Sequence, residues 1–381
     1  MQPIDRRQFL RSAAVFAGAG LLSGCGGSGR SGSGLTAEAG TLSILEWGGY
    51  EAHGTPAQTR GLLAGADYTR RFGADGITYT YIVNNDQAVS AATHTAFDIM
   101  HPCHQNLADF VGRGICQPWD TSLLPSFRNL DPVLVRRGQA QGPDDSAPQQ
   151  YMIPWDWGFA SLLYRTDHVR PADATGWELA WNPRYSGRIA LSSSSTDNME
   201  MAALRLGYPR PDVMTPAQIA AAQTSLVQQK PLTRFYWSSE YSELEPAFRA
   251  GDVWVAYSWQ DVYTAMARAG LRVAFMQPAQ GRIMWLCGFV LGHKTQEYLH
   301  AHAYVESFIN HQACVQMTNL YDYGTADATI RPDEITDPRL AKVLDIGNPR
   351  ALASPSIHLQ DWQPDRLAYE QAWANVEAVV V

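Results

Sequence analysis

The 381 residues carry no GxxxxGKS/T phosphate loop, no HExxH zinc helix and no GxSxG nucleophile elbow, and no GxGxxG turn follows the Gly/Ser-rich stretch that ends at Gly34. Each of these motifs supplies a backbone geometry that its chemistry needs, so the usual signatures of nucleotide hydrolysis, zinc proteolysis, serine hydrolysis and dinucleotide binding are missing. Gly288 to Thr295 (GFVLGHKT) approaches a phosphate loop, but its glycine spacing is one short and His293 interrupts it. His101, Cys103 and His104, and the pair His300 and His302, have no acidic neighbour in a ligand frame, so no metal or other cofactor is expected. Basic residues are in deficit, 29 against 37 acidic, for a net charge of −8. That balance argues against nucleic acid and favours a cationic ligand. Cysteine is sparse: of five, Cys103, Cys116, Cys287 and Cys314 are too scattered for a zinc ribbon or a disulfide scaffold. One or two bridges are open to an exported protein, with pairing unreadable from spacing. Beyond residue 25 no apolar run is long enough to span a bilayer, and no internal repeat is visible.

What is present begins with an export signal. Asp5 to Arg11 (DRRQFLR) is a twin-arginine pattern, Ser12 to Gly24 is a short apolar segment, and Leu22-Ser23-Gly24-Cys25 has the small residues and cysteine of a lipoprotein cleavage box. Cys25 is the expected lipidation site. Gly26 to Gly34 (GGSGRSGSG) would then be a flexible tether with an r.m.s. span of about 15–18 Å. Removal of residues 1–24 takes away Arg6, Arg7, Arg11 and Asp5 and leaves a net charge of −10.

The remainder is long enough for two cores. The alternating run Thr41 to Ile44 reads as a strand leading into Leu45 to Gly54, Thr55 to Phe72 as a helix behind Pro56, Ile77 to Val83 as a strand, Asp86 to Thr93 as a helix, Ala96 to Met100 as a short buried strand and Gln105 to Gly112 as a helix. This βαβαβ opening predicts a parallel sheet. Tyr151 to Tyr164 is an extended segment entering a second lobe, which holds a strand at Arg188–Leu191, helices at Asp197–Leu206 and Thr215–Gln229, and a strand at Val253–Tyr257. Gly281 to Gly292 is the strand that returns, and Asp365 to Val379 is helical. The expected fold class is α/β. The expected domains are a signal peptide over 1–24, a lipidated tether over 25–40, a first lobe over 41–155 and 286–322, and a second over 156–285 and 323–381.

Tryptophan and tyrosine recur at the ends of these strands: Trp47 and Tyr50 around Gly48-Gly49, then Trp155, Trp157, Trp259, Trp285 and Tyr323. Singly, each ring is more simply core. If the chain crosses between lobes where placed, together they converge on a cleft. The segments LSILEWGGY, FDIMHPCHQNLADF, YMIPWDWGFASLLYR, WELAWNPRYSGRIAL, ALRLGY, AFRAGDVWVAYSW, MWLCGFVLG and LYDYG, in this order from Thr41 to Ala374, resemble the periplasmic spermidine/putrescine-binding proteins of bacterial ABC importers.

The resemblance implies a two-lobed type II periplasmic binding fold, no catalysis, a small cationic organic solute, a permease and its ATPase as partners, and a monomer. It implies ligand contacts at Trp47, Tyr50, Trp259, Trp285, Tyr323 and Gln363, where each ammonium over a desolvated ring gains about 2 kcal/mol; Gly48, which would let the backbone approach the ligand, and the strand-end Trp157 are expected beside them. Members that bind polyamines place an acid two positions after the crossover tryptophan, where Cys287 stands, and a serine where Cys103 stands. The acidic pair of the second-lobe helix becomes Ser194 and Asp197, leaving one carboxylate, while Asp261, Asp156 and Asp86 are near enough in sequence to replace the lost one. A buried ammonium needs an acceptor at each end. The expected ligand is therefore a polyamine, with a mono-cationic or zwitterionic amine close behind; a Tat-exported metalloenzyme is the alternative of another class. Replacing Arg6 and Arg7 by lysine should hold the precursor in the cytoplasm, read by fractionation, and Cys25→Ser should leave the domain folded without lipid. Normal Tat-dependent export of the Lys-Lys form would contradict the twin-arginine reading.

Overall fold

The computed structural model describes residues 40–48, 50, 77–82, 85–142, 147–238 and 241–380. The export signal, Cys25, the tether, Gly49 and the helix expected at 55–72 lie outside the described residues. Three short parallel strands open the fold: β1 (Leu42–Trp47), β2 (Ile77–Ile82) and β3 (Ile99–Met100), with helix α1 (Asn85–His94) between the last two. After α2 (Leu107–Gly112) come β4 (Cys116–Gln117), α3 (Pro132–Arg137) and the hairpin of β5 (Gln139–Ala140) and β6 (Gln149–Gln150). The long strand β7 (Met152–Arg165) leads to β8 (Ile189–Ser192), α4 (Ser195–Arg205), α5 (Pro216–Gln229), β9 (Thr233–Trp237), α6 (Tyr241–Ala250), β10 (Val255–Trp259), α7 (Gln260–Arg268) and β11 (Val273–Phe275). The chain returns along β12 (Arg282–Gly292). It finishes through α8 (Tyr298–Ile309), α9 (His311–Tyr321), β13 (Gly324–Thr325), α10 (Pro338–Val343), β14 (Ile357–Leu359) and α11 (Arg366–Ala378). Most expected elements appear within a few residues of their sequence limits; the strand expected at 96–100 shortens to two residues because Phe97 and Asp98 turn the chain into it.

All strands except β5 and β6 share one twelve-stranded mixed sheet, whose main path runs β2-β1-β3-β12-β7-β10-β8-β9. β7 and β12 lie antiparallel at its centre, from Val290 opposite Met152 to Ile283 opposite Ala160. Both are buried along nearly their whole length, which is why their sequences read as continuous apolar runs rather than alternating ones. Side chains gather into three apolar clusters. The largest spans residues 42–159 and 284–344, including Ile44, Phe110, Trp155, Phe289 and Phe308. A second is built from 160–283 and α11, with Trp177, Leu191, Met201 and Trp373. A third packs α6 and α7 on the sheet through Leu244, Phe248, Val262 and Met266. Residues 326–344, assigned from the sequence to the second lobe, pack in the first cluster. Among the described residues no helix is long and apolar enough to cross a membrane.

Three strands of the first cluster are joined by a charged group. His101, just after β3, sends Nδ1 to Glu46 Oε1 of β1 at 2.7 Å and Nε2 to Asp156 Oδ1 of β7 at 2.9 Å. All three side chains are buried. Burial opposes a charged imidazole, but the two carboxylates outweigh it and push the His101 pKa up to about 10. Burial pushes the Glu46 carboxyl above its usual range against the pull of His101, and its Oε2 has no partner. An unfolded histidine titrates near ~6.5, so the stabilisation from His101 is complete below that pH and is lost as the pH rises toward about 10. Thermal melts from pH 6 to 10 should therefore decline with pH in the wild type, and less steeply in Glu46→Gln, which keeps one carboxylate on the imidazole. Equal slopes would mean that His101 is neutral in the folded chain.

Candidate functional site

Residues two apart on a strand face the same way, so Ile283, Trp285 and Cys287 of β12 share a face. Their partners across the ladder are Ala160, Gly158 and Asp156 of β7, and Trp259 of β10 lies opposite Ala160 on the other side. One row thus carries Trp259, Trp285, Cys287 and Asp156 together. Gly158 is what lets Trp285 lie across the sheet: a Cβ there would come within 2.6 Å of the Trp285 ring and of the Gln260 carboxamide. Trp285 belongs to none of the three apolar clusters, and its indole N–H is buried without a partner.

The aromatic wall comes from two chain ends. Trp47 closes β1, and the turn through Gly48 returns the Tyr50 N–H to the Trp47 carbonyl at 3.2 Å. Among the described residues nothing would meet a Cβ at Gly48 within 4 Å. The Tyr50 hydroxyl donates to Asp156 Oδ2 at 3.1 Å, and its ring stacks on Tyr321 with centroids 5.2 Å apart and an interplanar angle of 19°. Tyr323 lies 6.5 Å from Tyr50 and meets Trp285 edge-on at 4.9 Å. Trp259 is held edge-on by Trp237 and Tyr257 at 5.4 and 5.7 Å. Among the described residues the indole N–H groups of Trp47 and Trp285 are buried and have no partner.

A second group of polar side chains caps α4. Ser194 accepts the Asp197 N–H as the helix N-cap, and Asp197 in turn accepts from Ser192 Oγ at 2.7 Å and from Gln360 Nε2 at 3.0 Å. Glu200, one turn on, accepts from Gln363 Nε2 at 3.5 Å. Burial raises the pKa of Asp197, and burial together with the charge of Asp197 raises that of Glu200 well above the carboxylate range. Glu200, which the sequence reading did not single out, thus stands as a second buried carboxyl beside Asp197. Their spacing of three places both on one helix face, a signal available in the sequence. Asp261 sits in the first turn of α7, beside Trp259; the side chain of Asp86 lies outside the described residues.

Other expected contacts are placed differently. Trp157, on the opposite face of β7 from Gly158, lies over Gly324 with its N–H on the Thr325 carbonyl at 2.9 Å, inside the first apolar cluster. Cys103 and Cys287, expected as two separate contacts in place of a serine and an acid, form a disulfide with each other. The two departures from the resembling family are thus one cross-link, 184 residues apart in sequence. Asp156, a candidate for the missing acid, has both oxygens taken by His101 and Tyr50. Tyr321 was not foreseen, although its spacing of two from Tyr323 in LYDYG marks it. Beside the site a cavity of about 240 Å³ is lined by Gln105 and Asp109 at α2, Thr196 at the start of α4, and the 361–367 segment with Gln363.

Comparison with known proteins agrees with this architecture. The model of the family described as "Bacterial extracellular solute-binding protein" matches residues 60–342. The spermidine/putrescine-binding periplasmic protein of Escherichia coli K12 is 23% identical over 346 residues, 89% of this chain and 92% of that protein. A putative spermidine/putrescine ABC transporter structure from Listeria monocytogenes has a TM-score of 0.70 at 18% identity, covering 89% of this chain and 99% of the other. A structure described as the Atu4243-GABA receptor reaches 0.64 at 17% identity, with 90% and 98% covered. These structural likenesses show the type II periplasmic-binding architecture. With the family match covering most of the chain, this protein belongs to the bacterial extracellular solute-binding proteins, and its role is to bind a solute rather than to transform one.

Proposed function

We propose that this chain is the extracytoplasmic receptor of an ABC importer, capturing a small organic amine between two lobes and handing it to a permease with its ATPase. The observation that carries this reading is the convergence of Tyr50, Tyr321, Tyr323 and Trp285 beside the β7–β12 pair, in one row with Trp259. Electron-rich faces attract an ammonium, and the same faces accept methylene stems. The net negative charge of the chain supports the same ligand sign. The lobes are 41–155 with 286–322 and 156–285 with 323–381, as read from the sequence, except that 326–344 goes with the first because it packs there, and they close on ligand by a hinge at the crossing strands. The export route is the Tat pathway, with the domain held to a membrane through lipid on Cys25.

Two amine classes follow from different supports. The relatives' names point to a polyamine, spermidine or putrescine. The charges favour a ligand with one cationic head, such as a quaternary amine or an amino-acid derivative. At the α4 end Asp197 and Glu200 are present, but where the polyamine binders have an acid this chain has a disulfide, and Asp156 is occupied by His101 and Tyr50. An ammonium buried there without an acceptor would be penalised by several kcal/mol. The name of one fold neighbour, a GABA receptor, lends support to the same single-headed class.

Calorimetry with putrescine, spermidine, choline and 4-aminobutyrate should show a single-headed amine binding at least as tightly as putrescine. Trp259→Ala or Trp285→Ala should weaken the bound amine more than tenfold while lowering ligand-free thermal stability much less. The paired change Cys103→Ser with Cys287→Asp, which restores both polar groups without stranding a thiol, should shift preference toward putrescine. Tight putrescine binding by the wild type that the paired change leaves alone would return the polyamine reading. No amine binding by a folded wild type would remove both.

A further inference from the structure

We infer that Asp322 is the positioning residue of the aromatic site, clamping its two tyrosines to the helix that begins beside Trp259. This rests on the reading of that site as the ligand cleft. Asp322 follows α9 in a left-handed conformation, φ 60° and ψ 28°, where glycine or asparagine is the favoured residue. A carboxylate at a helix C-terminus also faces the negative end of the helix dipole. Two local preferences are therefore violated at one position, and the compensation is visible.

The Asp322 side chain is buried and accepts from Thr264 Oγ1 at 2.9 Å and from Arg268 Nη1 at 3.0 Å, with Arg268 Nη2 bonded to its second oxygen. Its carbonyl accepts from Gln260 Nε2 at 3.1 Å. Gln260, Thr264 and Arg268 are spaced by four, so they form one stripe along α7. Gln260 also accepts the Phe159 N–H of β7 at 2.7 Å. The stripe starts one residue after Trp259 and ends on the residue between Tyr321 and Tyr323.

The left-handed turn ends the helix at Tyr321 and starts the strand after Tyr323, leaving the two rings stacked 6.3 Å apart at 29°. Both reach Tyr50, and Tyr323 meets Trp285. These tyrosines pack on the first apolar cluster, whereas Trp259 packs on the second and third. The clamp is thus a polar tie between side chains of different cores, and it makes the spacing of Trp259 from the tyrosines a property of one helix face. Arg268 additionally reaches Asp337 at 3.3 Å. Asp337 supplies a control, because it shares the arginine without touching the tyrosine turn.

The test compares Asp322→Gly, which keeps the left-handed backbone and removes the carboxylate, with Asp322→Asn, which keeps the shape, and with Asp337→Asn. The near-ultraviolet circular dichroism of the ligand-free protein, hydrogen exchange of the 318–326 segment and calorimetry with putrescine and 4-aminobutyrate are read for each. The Gly variant should alter the aromatic bands, speed exchange in 318–326 at least tenfold and weaken the bound amine at least tenfold; the Asn variant should be intermediate, and Asp337→Asn should match the wild type in all three. A Gly or Asn variant with wild-type bands, exchange and affinity that merely melts earlier would overturn the clamp. If wild type binds neither amine, the receptor reading fails for those ligands, while the spectra and the exchange still decide the clamp.

Discussion

The antiparallel pairing of β7 with β12 is the constraint from which the rest of the site follows. Both strands are buried along nearly their whole length, and their register sets which side chains share a face. Because that alternation has a period of two, a slip of one residue would exchange Trp285 and Cys287 for their core-facing neighbours. The same register sets Asp156 beside Cys287 and Gly158 beneath Trp285. A ring as large as indole lies over this sheet only because the strand below it offers a glycine.

Two cross-connections hold the strand ends around that pair. The His101 imidazolium ties β1, β3 and β7 through Glu46 and Asp156, and Asp156 passes the tie to the Tyr50 hydroxyl. The Cys103–Cys287 disulfide joins the turn after β3 to β12 next to it. Closing a loop of that length restricts the unfolded chain by about 2–5 kcal/mol in the entropic account. Both ties engage side chains singled out from the sequence as ligand contacts: Asp156 in one case, Cys103 and Cys287 in the other.

Much of the fold was legible in the sequence because the long elements have strong periodicity and clear ends. Thr215 with Pro216 opens α5, and the parallel β1–β3 start follows from strand and helix alternation. Local motifs pointed to Trp47, Tyr50, Trp259, Trp285 and Tyr323 as strand-end aromatics; the structure places Tyr50, Trp285 and Tyr323 in one chain of ring contacts, with Trp285 inside β12 rather than at its end. What could not be read depends on register or on distant pairing. Trp157 and Trp285 looked alike, yet they fall on opposite faces of paired strands. Cys103 and Cys287 carry no mutual signal across 184 residues. The Glu46–His101–Asp156 group draws its residues from β1, the turn after β3 and the interior of β7, so no spacing announces it. Glu200, by contrast, stood three residues from Asp197 and was available to a helical reading.

If the aromatic row beside β7 and β12 receives an organic cation, as proposed, the ligand should travel with the protein. Mass spectrometry of the small molecules released on denaturing the wild-type protein after gentle purification, set beside Trp285→Ala prepared identically, tests this. A stoichiometric amine is expected in the wild type, and its loss from the variant. A released molecule without an amine or quaternary nitrogen, or an amine retained equally by the variant, would contradict it.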